Sequence, residues 1–173
     1  VVGIMDLDVV DAAPPHMTAA GYGDLSAKIP GGADWILADY TGVEPIDADV
    51  WDMVQSGVAT ALSRPAELAA GNADAFDGLV EGLCLSGLAM QAYGGTRPAS
   101  GAEHHMSHYW ETILEQRGIR PAMHGEQVAV GTVLVLMLIE ELLKENIDFD
   151  AARESARAYD AAAWELEIRA HYG

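Results

Sequence analysis

The sequence predicts an all-α domain, and three features carry that reading. The 173-residue chain is 50% hydrophobic but only 7% aromatic, with Ala, Gly and Leu dominant, and Ala/Leu-rich runs favour helix. Apolar residues recur three or four apart along most of the chain, the spacing of one helical face. Capping residues and glycine pairs stand where these periodic runs begin and end. The length suffices for one domain with a sizeable core.

Taken in order, residues 1–10 are the exception. They are β-branched and apolar around Asp6 and Asp8, and they read as one strand without a neighbouring strand to pair with. Pro14 and Pro15 sit where a helix begins. A helix over 17–20 then meets Gly21 and Gly23. A second segment starts at Asp24 and runs toward Lys28, where Pro30, Gly31 and Gly32 break it before it resumes over 35–40. Asp47 caps a helix with Val50, Met53, Val54, Val58, Ala61 and Leu62 on one face. Asn72 caps the next, which carries Phe76, Leu79, Val80, Leu83 and Gly87 and ends at Gly94-Gly95. A loop over 96–101 leads to a helix over 102–116 and a turn at Gly118 and Pro121. A long helix follows over 124–145. Asp148 caps a last one over 151–171, for about seven helices in all.

The formal net charge of -18 repels phosphate backbones and anionic lipids, which argues against nucleic-acid and membrane-surface partners. The longest apolar run, over 128–139, is too short for a bilayer. A single cysteine, Cys84, allows no intrachain disulfide and reads as a small buried hydrophobe. With no signal-peptide pattern, a cytoplasmic location is expected. The abrupt start at Val1 reads as a piece of something longer.

Four of the six histidines fall in two short stretches, Glu103-His104-His105-Met106-Ser107-His108 and Met123-His124-Gly125-Glu126. His104 and His108, four apart, share a helical face, while His105 points about 100° away. A metal that acts on a substrate needs three protein ligands and an open position, and two imidazoles with one carboxylate suit zinc, nickel or ferrous iron. His104 and His124 can supply nitrogens from two helix starts, and Asp24, on a glycine-flanked turn, is the best-placed carboxylate. Each residue has a plainer reading too: Asp24 as an N-cap, His108 as a surface partner of Glu111 or Glu115. Lys28 is one of two lysines, placed either to contact a substrate phosphate or to pair with Asp24 at i,i+4. Arg97 is a weaker phosphate candidate that could instead anchor its loop.

Three motifs occur in one order: Gly21-Tyr22-Gly23-Asp24-Leu25-Ser26-Ala27-Lys28 followed by Ala33-Asp34-Trp35; Arg97-Pro98-Ala99-Ser100-Gly101-Ala102-Glu103-His104-His105-Met106-Ser107-His108; and His124-Gly125-Glu126-Gln127-Val128-Ala129-Val130-Gly131-Thr132. The combination, together with the helix over 79–93, resembles the sn-glycerol-1-phosphate dehydrogenases of the iron-containing alcohol dehydrogenase and dehydroquinate synthase-like superfamily. It covers nearly the whole chain.

The resemblance implies a C-terminal, dehydroquinate synthase-like helical domain over 13–173. Residues 1–12 would then be a remnant strand of a missing N-terminal, Rossmann-like dinucleotide-binding domain. It implies Asp24, His104 and His124 as ligands of Zn2+ (alternatively Ni2+ or Fe2+), Asp24 and His108 as catalytic groups, and Asp24, His108 and Lys28 against the substrate. The activity implied is reduction of dihydroxyacetone phosphate, a small phosphorylated three-carbon substrate, with NADH or NADPH, as in phospholipid biosynthesis. Self-association into a homo-oligomer is compatible with it.

The chain departs from the family at Pro30-Gly31-Gly32, where the family continues a helix, and it holds no glycine-rich dinucleotide turn. The rival activities are a glycerol dehydrogenase-like polyol oxidoreductase and a non-catalytic helical metal-binding module. Asp24 in place of Glu and the two-lysine count argue against a dehydroquinate synthase. No His-Asp pair supports a metal-dependent hydrolase.

Overall fold

A computed structural model describes residues 5–172, all of whose regular structure is helical: α1 (Leu7–Asp11), α2 (Pro15–Ser26), α3 (Lys28–Thr41), α4 (Ala48–Leu62), α5 (Pro65–Ala69), α6 (Ala73–Tyr93), α7 (Ala102–Gln116), α8 (His124–Leu142), α9 (Phe149–Arg157) and α10 (Ala161–Tyr172). No described residue is in a strand, so the all-α expectation stands. The N-terminal strand does not: from Leu7 the segment is helical, and residues 1–4 lie outside the described residues. Asp6 explains the difference. Its carboxylate accepts hydrogen bonds from the backbone N–H groups of Asp8 and Val9, an N-cap that starts a helix where β-branched residues with no partner strand gain nothing from being extended.

Pro30-Gly31-Gly32 does not break the chain where expected. It lies inside the first turns of α3, and the interruption falls at Ala27. Proline has no N–H and its ring crowds the carbonyl four residues earlier, that of Ser26, so the ladder parts there. The backbone resumes at once, with Gly31 N–H bonded to the Ala27 carbonyl. Similarly, Gly21 and Gly23 sit within a continuous α2. The last expected helix is two, parted at residues 158–160, with Asp160 accepting from the N–H groups of Ala162 and Ala163. The short helix α5, which begins on Pro65 at its first position, has no counterpart among the expected elements.

The core gathers Leu25, Trp35, Val50, Val54, Val58, Leu79 and Ala89 from α2, α3, α4 and α6. Trp35 packs edge-on against Tyr93 and tilted against Trp51. Its indole N–H donates to the Pro45 carbonyl, as a buried indole should. Cys84 is half-buried rather than buried. No helix among the described residues is long and apolar enough to cross a membrane.

Two close helix crossings bring Asp24 and the histidine stretches together. A Cβ at Gly125 would lie 1.9 Å from the Ala20 carbonyl oxygen, and one at Gly23 would lie 2.4 Å from the Gly125 oxygen. Only glycine lets α2 and α8 meet backbone to backbone. A Cβ at Gly131 would lie 2.6 Å from the Glu103 carbonyl oxygen, which holds α7 equally close to α8. The last turn of α2 and the first turns of α7 and α8 therefore converge.

Candidate metal centre

Asp24 comes from the last turn of α2, His104 from the first turn of α7, and His124 is the first residue of α8. One ligand atom from each lies within 4.8 Å of the other two. Asp24 Oδ1 is 3.3 Å from His104 Nε2 and 3.7 Å from His124 Nε2. Both imidazoles thus turn the same nitrogen to one carboxylate oxygen. The other sides of all three groups are occupied. Lys28 Nζ takes Asp24 Oδ2 at 3.2 Å, Glu103 Oε1 takes His104 Nδ1 at 2.8 Å, and Ser107 Oγ lies 3.5 Å from His124 Nδ1. Two nitrogens and one oxygen held at this spacing, each oriented from behind, fit a divalent cation with room for an exogenous ligand.

The charges agree with the geometry. Burial raises the Asp24 carboxyl, but hydrogen bonding to His104 and the charge of Lys28 outweigh it and lower its pKa to about 2. Burial disfavours the imidazolium of His104, yet its bonds to Asp24 and Glu103 prevail and raise its pKa. Burial lowers that of His124. Desolvation also lowers the Lys28 ammonium, against the pull of Asp24. Lys28 is a positive charge that faces Asp24, and His104 adds another when protonated, in which form it must give up a proton to a cation entering the site.

The three groups open on a cavity of about 260 Å³ whose lining includes Lys28, Met90, Ala99, Ser100 and His108. Asp24, Lys28, His104, His108 and His124, the site residues expected from the sequence, are therefore gathered in one cleft. His108 stands at the mouth with a side chain 62% exposed. Its ring stacks on that of His124 at 5.3 Å and 22°, and Nδ1 is 3.5 Å from Glu111, so it faces the cleft and its surface partner at once. Lys28 is buried to 1% exposure and also donates to the Ala99 carbonyl at 2.9 Å. Of its two sequence readings, the i,i+4 pair with Asp24 is present, and the same side chain lines the cleft. Arg97 is outside the cavity lining: its Nε donates to Glu44 at 2.7 Å, and Glu44 also accepts from Tyr93, which makes Arg97 a loop anchor. Glu103 and Ser107, behind the two imidazoles, do not stand out from the sequence. The only signal there is a carboxylate immediately before a candidate ligand.

No family model matches the chain. It is 37% identical over 143 residues, 83% of its length, to a protein of Halalkalibacterium halodurans named glycerol-1-phosphate dehydrogenase (NAD(P)+). Proteins of the same name from Geobacillus thermodenitrificans and Korarchaeum cryptofilum are 32% and 35% identical over 92% and 78% of the chain. The matched stretch makes up 36%, 39% and 43% of these three relatives, so the chain spans less than half of their length. Over the stretch that it shares with them, the chain belongs to the glycerol-1-phosphate dehydrogenase family.

Proposed function

We propose that this chain is the metal-bearing half of an NAD(P)H-dependent oxidoreductase that reduces dihydroxyacetone phosphate to sn-glycerol 1-phosphate. Residues 13–173 are its metal-binding helical catalytic domain. The observation that carries the proposal is the meeting of Asp24 Oδ1, His104 Nε2 and His124 Nε2 at the foot of one cleft. These three hold Zn2+, Ni2+ or Fe2+. The metal, when bound, supplies Lewis-acid polarisation of the substrate's ketone oxygen.

The chain's own side chains do the rest. Asp24 lies against both metal and substrate. Lys28 brings positive charge to a chain whose net charge of -18 otherwise repels a phosphorylated substrate. His108, loose at the mouth and one turn from His104, orients the substrate and moves a proton at its ring nitrogen. The hydride comes from a nicotinamide held by a dinucleotide-binding domain beyond this chain.

The test uses the full-length protein. Dihydroxyacetone phosphate should be reduced at the expense of NADH or NADPH, with product of the sn-1 configuration. His108→Ala should keep the parent's metal content and lose most of the turnover. Oxidation of glycerol without reduction of the phosphorylated ketone would favour the polyol oxidoreductase instead. Loss of metal in His108→Ala would make that residue a ligand, and unchanged activity would leave it a surface partner of Glu111.

A further inference from the structure

Among the described residues, the best-buried ionisable group is one that the proposed chemistry does not use. Glu103 is 0% exposed. Its Oε1 accepts from the Gly101 backbone N–H at 2.8 Å and faces His104 Nδ1 at 2.8 Å, while Oε2 has no hydrogen-bond partner. A buried carboxylate with one bare oxygen costs stability, and an apolar side chain of similar size would cost less. The surrounding backbone nevertheless makes room for it. A Cβ at Gly101 would lie 2.9 Å from Oε2 and 2.9 Å from the Gly31 Cα, and one at Gly131 would meet the Glu103 backbone. Gly31 and Gly101 thus leave space for the Glu103 side chain, while Gly131 lets α8 close on its backbone.

We propose that Glu103 is the positioning residue of the metal centre: its carboxylate, pinned by the Gly101 N–H, takes the Nδ1–H of His104 and so commits Nε2 to the metal. Asp24 Oδ1 also faces Nε2, at 3.3 Å, but once a cation takes the Nε2 lone pair the ring's one hydrogen must sit on Nδ1, where an ionised carboxylate, which only accepts, receives it. A carboxylate behind a ligand histidine also raises its basicity. The proposal rests on Asp24, His104 and His124 being the ligands, with Glu103 acting through His104 and touching neither metal nor substrate.

The test is a titration of Zn2+ or Co2+ alone into the metal-free, full-length parent, Glu103→Gln and His104→Ala, with melting curves of each without metal. Glutamine keeps the shape and an acceptor oxygen but loses the charge. Glu103→Gln should melt at or above the parent temperature and bind metal roughly 10–100-fold more weakly, with an altered Co2+ absorption spectrum. A purely structural role would lower the melting temperature and leave the affinity and spectrum as they are, and affinity within about twofold of the parent would overturn the proposal. If His104→Ala also binds as the parent does, the ligand set itself is wrong. If only His104→Ala loses metal, the ligand set stands and the role of Glu103 falls.

Discussion

At the scale of single residues, Asp24 is the group on which the others depend. Its pKa falls from an ordinary 3.8 to about 2 in the folded chain. A depressed carboxyl contributes stability that is fully present above 3.8 and lost as the pH falls toward 2, here on the order of 2 kcal/mol. His104 has the opposite sign. Its raised pKa contributes stability below about 6.5 that fades as the pH rises through the folded value. Denaturant melts of the chelated protein from pH 2 to pH 6 should therefore show Asp24→Asn without this part of the parent's acid sensitivity. Parallel curves for the two proteins would mean that Asp24 is not held as described.

The elements show how far the sequence could be read. The helices capped by Asp47, Asn72 and Asp148 were legible because in each cap a side-chain oxygen accepts a local hydrogen bond from a backbone N–H. The strand over residues 1–10 misread Asp6, and the long last helix misread Asp160, in each case because the same residue type serves equally as a cap and as a surface charge. Pro30 was recognised as a disturbance, but its effect falls four residues upstream, on Ser26. The three residues that meet at the cleft, Asp24, His104 and His124, were legible from the motifs. Glu103 was not, because its burial depends on how closely α7, α8 and α3 approach, and that is set by glycines far apart in sequence. The approach can be tested directly. Gly125→Ala must push α2 from α8 and should lower both the melting temperature and the metal content. Gly57→Ala, in α4 with nothing within 4 Å of the added Cβ, should instead stabilise by about 0.5–1 kcal/mol. Equal melting temperatures for these two variants would argue against the tight crossing.

For the molecule as a whole, the fold's contribution is to carry three side chains from positions 24, 104 and 124 to one point and to brace each from behind. The far half of α8 is more apolar than a solvent-facing helix needs, with Val133, Met137 and Leu138 all more than half exposed, while its first turn is fixed at the cleft. The three side chains therefore meet at the well-packed end of the bundle, where a candidate site is held most firmly. The measurement that tests this account most directly is the metal content of the full-length protein purified without chelator, beside that of His104→Ala and His124→Ala. The parent should carry close to one divalent zinc, nickel or iron per chain, and each variant should lose most of it while remaining folded. Full metal content in both variants would show that Asp24, His104 and His124 do not form the site.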